Sequence, residues 1–252
     1  MKLKVKALIV LLCVTTIYVS WRGYKSFSLP QDERLCACER CLSEDDLWFI
    51  KHFNKSVEPF LSANYNLSED VFNWWKGLQG EKGNLSTFRE TLDRLFLLVP
   101  PSPDVLESSP DHCRTCAVVG NSGNLRRSHY GPLIDFHDVI IRPEWIVRRK
   151  IKANKDLVMI LNPAFMKYVH DMWLENKGYY PSTGFLALVL ALHICDEVSV
   201  FGYGADSDGN WSHYWEKLMN KKLKTGAHPG DTEYRTIQEL DKQQKLKFYT
   251  GF

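Results

Sequence analysis

At 252 residues the chain has room for one sizeable domain plus appendages. A formal net charge of +2, with 25% charged residues, excludes a nucleic acid or a polybasic patch as the organising theme. Aromatic residues reach 13% and include 8 Trp, a content that fits sugar-binding surfaces and a large core equally well.

Lys2, Lys4 and Lys6 precede an apolar run from Ala7 to Val19, closed by Trp21 and Arg22. The run is short against the roughly 20 residues that a spanning helix needs. A cleavable signal peptide has similar charge and length, but this segment ends in Tyr18, Trp21 and Arg22 rather than in a small-x-small site. Residues 1–6 therefore read as a cytoplasmic tail, 7–21 as a signal-anchor transmembrane helix, 22–40 as a short stem and 41–252 as a lumenal domain. Basic residues stay on the cytoplasmic side, and short spans suit the thinner membranes of the early secretory route.

The cysteines agree with an oxidising address. Cys36, Cys38 and Cys41 cluster after the apolar run, Cys113 and Cys116 stand close together, and Cys195 lies far downstream, while Cys13 sits in the run itself. Cys-x-x-Cys spacing is compatible with zinc, but the secreted context favours disulfides, and six cysteines allow about fifteen pairings that spacing does not separate. Asn54-Lys-Ser56, Asn66-Leu-Ser68, Asn84-Leu-Ser86 and Asn210-Trp-Ser212 are glycosylation sequons. Thr87-x-x-Glu90 has the capping-box pattern, and the Phe88, Leu92, Leu95, Phe96 and Val99 stripe that follows predicts a helix face packed into the core. Pro100-Pro101-Ser102-Pro103 ends that helix.

Ala117–Val119 has the continuous apolar character of a buried parallel strand. Gly120-Asn121-Ser122-Gly123-Asn124 then breaks it with residues that tolerate positive φ and leave backbone N–H groups free for a ligand. Residues 138–142 read as a second strand and Leu157–Leu161 as another buried one. Asn162-Pro163 supplies an N-cap and a first-turn proline for a helix with a Phe165, Tyr168, Val169, Met172 and Trp173 stripe. Ser182-Thr183 caps a helix from Phe185 to Ile194, and Val198–Phe201 is a strand ending at Gly202-Tyr203-Gly204. The alternation predicts an α/β fold: a doubly wound, mostly parallel, Rossmann-like sheet flanked by helices. Such sheets bind nucleotides outside the carboxyl ends of their strands. A dinucleotide enzyme is disfavoured, because neither G-x-G-x-x-G nor an acidic ribose partner is present.

Several residues carry candidate chemistry. The Asn121 amide, at a strand end, can bond phosphate or ribose without charge. Ser182, Thr183 and Gly184 open a helix whose free N–H groups and dipole favour an anion, although plain capping explains the first two. Asp206-Ser207-Asp208 has the D-x-D form that holds a divalent ion against a diphosphate in many nucleotide-sugar transferases; followed by Gly209, it reads here as a turn. His213 and His228 are of a type suited to acid and base work near neutral pH, although isolated histidines are more often structural.

The whole string from Cys113 to Leu125, continued by Ser128–Asp138, resembles the large sialyl motif of animal sialyltransferases. Tyr180-Pro181-Ser182-Thr183-Gly184 through His193–Val198 is similar to the small sialyl motif. His213-Tyr214-Trp215-Glu216 and His228-x4-Glu233 are similar to the two short C-terminal motifs. The resemblance runs from about Cys36 to the C-terminus and is nearest to the β-galactoside α-2,3-sialyltransferases that act on Gal-β1,3-GalNAc. It implies the sialyltransferase variant of the GT-A fold, on a single-pass type II Golgi membrane protein with a lumenal catalytic domain. The implied reaction is inverting, metal-independent transfer of sialic acid from CMP-sialic acid to the 3-hydroxyl of a terminal galactose on glycoproteins or glycolipids. No cofactor is implied beyond the donor, no nucleic-acid partner is expected, and a dimer is left open. The resemblance also implies the pairs Cys36–Cys41, Cys38–Cys113 and Cys116–Cys195. It places the donor on Asn121, Ser182, Thr183 and Gly184, packs Tyr180 on the acceptor galactose, makes His228 the base and lets His213 protonate the departing phosphate.

The likeness is interrupted once. After Arg142 the family pattern continues with a ribose-holding Asn and a long stretch of strands and helices, whereas here Pro143-Glu144-Trp145-Ile146-Val147 follows directly. A second, shorter gap removes an expected acceptor-binding tyrosine. The family pattern also has His where Ser212 stands, and that change creates the Asn210 sequon. The missing segment motivates an alternative function: a weak or inactive short form that binds CMP or pairs with a full-length enzyme.

Overall fold

A computed structural model of the chain describes residues 37–39, 42, 46–102, 109–142 and 154–251, all within one unit, Cys36–Phe252. The expected tail, the anchor at 7–21, Cys36 and Cys41 lie outside the described residues, and so does 143–153, where the sialyl likeness breaks. Among the described residues, no helix is long and apolar enough to cross a membrane.

Among the described residues the sheet has four strands, all parallel: β1 Thr115–Val119, β2 Val139–Ile141, β3 Glu197–Phe201 and β4 Lys247–Tyr249, in the order β2-β1-β3-β4. Cys116 faces Val139 on one side and Val198 on the other, and Val200 faces Phe248. Cys116, Ala117 and Val118 are 0% exposed, as the unbroken apolar run requires of a strand with neighbours on both edges and cover on both faces. The expected strands at 117–119, 138–142 and 198–201 are all present.

The early helices are α1 Leu47–His52, α2 Glu69–Gln79, α3 Leu85–Phe96 and the short α4 Gly131–Asp135. Then come α5 Pro163–Tyr168, α6 Thr183–Ile194 and α7 Gly230–Lys242. α6 is apolar on nearly every side, and Phe185, Leu186, Ala187, Leu188, Val189, Ala191 and Leu192 are buried, so it is the central helix of the core. Each large side chain so placed contributes about 1.5–3 kcal/mol through burial. Ser182 caps α6 by accepting the Phe185 N–H at 3.1 Å, and Asn162 caps α5 by accepting from Ala164 at 2.9 Å.

Three local expectations differ from the structure. Residues 157–161 form no strand: Asn154 accepts the Asp156 N–H and starts a 3-10 turn, and Leu161 makes only an antiparallel bridge to Phe60. Leu157 and Met159 are 76% and 46% exposed there. α3 begins after Asn84, whose side chain accepts from Thr87, so the cap is Asn84 rather than Thr87. Its apolar stripe is only half-buried, because Phe88 packs on Phe72 and Trp75 of α2 in a satellite cluster away from the sheet. After α5 the chain passes into a π-helical turn, Val169–Trp173, where the Leu174 N–H bonds the Val169 carbonyl five residues back. The wider turn shifts the stripe by one position, burying His170 and Leu174 and leaving Met172 exposed.

Among the described residues two disulfides staple this frame, Cys38–Cys113 and Cys116–Cys195. The second joins β1 to the C-cap of α6 across a sequence separation of 79, and a loop of that size restricts the unfolded chain by about 4 kcal/mol. Replacing Cys116 and Cys195 together by Ser should lower the unfolding free energy by about 2–5 kcal/mol, read as a fall in the urea midpoint. An unchanged midpoint would mean that packing alone holds β1 on α6.

Candidate active site

The strand order reverses between β1 and β3, because β1 is followed by β2 on one side while β3 lies on the other. The crevice at the carboxyl ends of such a pair is where open α/β sheets take ligands. A cavity of about 480 Å³ opens there. Its wall combines Gly120, Asn121 and Ser122 beyond β1, Gly202–Gly204 beyond β3, and Ser182 and Gly184 at the head of α6. Ser212, His213, Lys224, Thr225, His228 and Glu233 also belong to it.

Tyr203 sets the spacing of these parts. A Cβ on Gly120 would come within 2.4 Å of the Gly202 carbonyl and 2.8 Å of the Tyr203 ring. One on Gly184 would meet the Tyr203 hydroxyl at 3.0 Å, so the ring crowds both glycines, with the Gly202 carbonyl the tighter limit at Gly120. The hydroxyl donates to the Gly184 carbonyl at 2.9 Å. Burial, with the negative charge of Glu233 second, pushes the phenol well above its ordinary value and keeps it a donor. Around the ring the two loops are stitched together: Ser122 Oγ donates to the Gly204 carbonyl and Asn124 Nδ2 to the Tyr203 carbonyl, each at 2.6 Å.

Asn121 uses its backbone carbonyl to accept from Tyr214 at 2.6 Å, while its side-chain amide makes no hydrogen bond within the described residues and is available at the cavity wall. At the head of α6, Ser182 Oγ is taken by the Phe185 N–H, and the Ser182 N–H donates to Glu233 Oε1 at 2.7 Å. The N–H groups of Thr183 and Gly184 have no such partner among the described residues. Gly184 is in the wall; the exposed side chain of Thr183 is not.

His228 sits in a turn closed by Thr225, whose Oγ1 donates to the His228 carbonyl at 2.7 Å and accepts from Gly230 at 3.1 Å. The Nδ1 of His228 lies 3.2 Å from the Tyr180 carbonyl, an acceptor only, so in the neutral ring the proton is on Nδ1 and Nε2 carries the lone pair. The Tyr180 ring meets the His228 ring edge-on at 4.6 Å. His213 stacks on Trp215 at 5.0 Å and points Nδ1 at Glu216 Oε2, 3.2 Å away. Asp206-Ser207-Asp208 forms a turn in which Asp206 Oδ1 accepts from the Asp208 and Asn210 N–H groups.

The structure thus gathers Asn121, Ser182, Gly184, His213 and His228 around one cavity, with Tyr180 against His228. Tyr203 and the tie from Glu233 to Ser182 were missed. Their sequence signals are Gly120, Gly184 and the five-residue step from His228 to Glu233, and none of these says what touches what. Burial pushes the Glu233 carboxyl above its ordinary value of 4.5, outweighing the Ser182 N–H and the attraction of His228. A raised carboxyl favours the protonated fold, so its contribution is full below 4.5 and is lost as pH rises through the folded value. Glu233→Gln keeps an acceptor for the Ser182 N–H and removes the titration. Its urea midpoint should therefore fall less than the parent's between pH 4.5 and neutrality; equal falls would assign the pH dependence elsewhere.

The sequence pattern of glycosyltransferase family 29 (sialyltransferase) matches residues 60–145 and 144–245. The chain is 39% identical over 284 aligned positions to CMP-N-acetylneuraminate-beta-galactosamide-alpha-2,3-sialyltransferase 1 of Gallus gallus, covering 86% of this chain and 83% of the relative. It is 38% identical over 283 positions to CMP-N-acetylneuraminate-beta-galactosamide-alpha-2,3-sialyltransferase 2 of Mus musculus, covering 86% and 81%. A crystal structure of a mammalian sialyltransferase in complex with Gal-beta-1-3GalNAc-ortho-nitrophenol superposes with a TM-score of 0.75 at 36% identity, over 86% of this chain and 100% of that one. Because 86% of 252 residues is about 217, about 67 of the 284 positions aligned with the Gallus gallus relative have no residue here, and the two family stretches abut at residue 144. With the sialyl motifs meeting in one crevice and the family pattern matched on both sides of that junction, the chain belongs to glycosyltransferase family 29, the sialyltransferases.

Proposed function

We propose that this chain transfers sialic acid from CMP-sialic acid to the 3-hydroxyl of a terminal galactose on Gal-β1,3-GalNAc glycans, with His228 as the base. The observation that carries the assignment is the bond from His228 Nδ1 to the Tyr180 carbonyl, which leaves Nε2 as a proton acceptor at the cavity wall. His228 Nε2 takes the hydroxyl proton as the galactose oxygen attacks the anomeric carbon of the sialic acid. The bond from that carbon to the phosphate oxygen breaks, the configuration inverts, and the leaving phosphate takes a proton from His213 Nε2. Glu216 orients the His213 ring through Nδ1. The donor phosphate lies at the head of α6, where the Thr183 and Gly184 N–H groups and the helix dipole favour an anion. Asn121 bonds the nucleotide through its side-chain amide, and Tyr180 packs on the acceptor galactose. No metal is required by this scheme, since each charge that develops meets a side chain or a helix terminus.

The same reading places the catalytic domain in the Golgi lumen, on the sialyltransferase variant of the GT-A fold, behind an anchor at 7–21. Asn54, Asn66 and Asn84 are exposed, and the Asn84 side-chain oxygen that caps α3 leaves its nitrogen free for a glycan. Asn210 is 2% exposed beside the cavity residues Trp211 and Ser212. The roughly 67 unmatched positions support a second reading, in which the chain binds CMP and transfers poorly or pairs with a longer relative.

Transfer from CMP-sialic acid to Gal-β1,3-GalNAc by the full chain separates the two readings: CMP binding without transfer supports the second. Given transfer, His228→Ala should lower turnover by about 10²–10⁴-fold with CMP affinity little changed. Asn121→Ala should instead weaken CMP by about 1–3 kcal/mol. An unaltered rate in His228→Ala would overturn the mechanism. Mass spectrometry of the folded, CMP-binding protein should find glycans among Asn54, Asn66 and Asn84 and none on Asn210. Unmodified asparagines throughout would sink the lumenal assignment.

A further inference from the structure

One buried histidine plays no part in this scheme. His170 is 7% exposed and lies in the π-helical turn after α5. Its Nε2 is 3.3 Å from the Gly178 carbonyl oxygen, its Nδ1 is 3.1 Å from Asp171 Oδ1, and its ring packs on Trp74 at 5.7 Å. Asp171 is itself held by Lys167, so the ring stands between two fixed acceptors, the Asp171 carboxylate and the Gly178 carbonyl. The π turn is what puts His170 there: the extra residue turns it inward, and its carbonyl accepts from Asn176 at 3.1 Å. Single π turns inside helices recur at functional sites.

From His170 the contacts lead to His228. The chain doubles back through Glu175, Asn176 and Gly178, with φ of 52°, 60° and 70°. A Cβ on Gly178 would come within 2.6 Å of Pro229, the residue after His228. The Tyr179 N–H donates to the Ala227 carbonyl at 3.0 Å, and the Tyr180 carbonyl accepts from His228 Nδ1 at 3.2 Å. Residues 178–180 are therefore held by His170 and fastened to 227–229 by one backbone bond, the bond from the His228 ring and the close approach of Gly178 to Pro229.

We propose that His170 is a positioning residue for the transfer reaction: its bond to the Gly178 carbonyl holds 178–180 in the register that presents the Tyr180 carbonyl to His228. It acts through His228 and touches neither substrate. The inference rests on the reading of His228 as the base.

The test uses the full chain with His170→Gln and His170→Asn. Glutamine carries an N–H close to the position of Nε2, while asparagine is too short to reach Gly178. His170→Gln should keep turnover within about threefold, and His170→Asn should lose about 10- to 100-fold, the range that a small misplacement of a catalytic group produces. CMP affinity should stay within about twofold in both, since the displaced group faces the acceptor step. On a His228→Ala background, His170→Asn should cause no further loss, because the two act as one unit. Gly178→Ala, which pushes a methyl into Pro229, should give the same turnover loss from the other end of the link and serves if His170→Asn fails to fold. Equal turnover in the Gln and Asn variants, a matching fall in CMP affinity, or a fully additive loss on His228→Ala would overturn the inference while leaving the base assignment standing. Full activity in His228→Ala would overturn both.

Discussion

The placement of one phenol ring governs the crevice at the carboxyl ends of β1 and β3. Tyr203 fills the gap between the end of β1 and the head of α6, where a side chain on Gly120 would collide with its ring at 2.8 Å and one on Gly184 would crowd its hydroxyl at 3.0 Å. An interior packed at the density of an organic crystal leaves no slack for the ring to be elsewhere. The two sialyl motifs, about sixty residues apart in sequence, are thus spaced by a residue that belongs to neither. The Cys116–Cys195 bridge ties the same two segments at the opposite end of β1. One link is covalent and the other steric, and between them β1 is held against α6 along its length.

A chain of supports surrounds the ring. Glu233 accepts the Ser182 N–H, so α7 grips the start of α6. Ser122 and Asn124 bind the loop after β3, and Ser212 accepts the Gly123 N–H at 2.7 Å. Each tie joins segments distant in sequence, and each satisfies a polar group that burial would otherwise leave costly. The cavity is therefore shaped mainly by backbone groups whose positions depend on the whole frame, with Asn121, His213 and His228 also in its lining.

Much of this was legible in the sequence, for physical reasons that also mark where legibility stops. Ala117–Val119 and Val198–Phe201 are strands because an unbroken apolar run can be buried on both faces, and Ser182 before a long apolar segment declares a helix start. Leu157–Leu161 has the same apolar content, but a turn-forming Asn154 three residues earlier and a partner at Phe60 take it out of the sheet. The α3 stripe was read correctly as a face and wrongly as core, since periodicity tells which side is apolar and not what lies opposite. The π turn at Val169–Trp173 left no local signature, because a single wide turn is chosen by packing. Tyr203 could not be read at all: a wedge is a relation among three segments, and sequence lists them separately.

β2 is the outermost described strand on its side of the sheet, and the family alignment loses its continuity just beyond it, at residue 144. Parallel sheets grow outward from a central pair, each added crossover leaning on the strand before it. Material taken away at the rim removes hydrogen bonds from one margin, and the ladder between the innermost strands keeps its rungs. The β1–β3 pair runs through five matched positions, from Thr115–Glu197 to Val119–Phe201. Chain length and active-site architecture are for this reason separate variables in such a fold: a protein can be shortened by tens of residues and still carry the same central crevice.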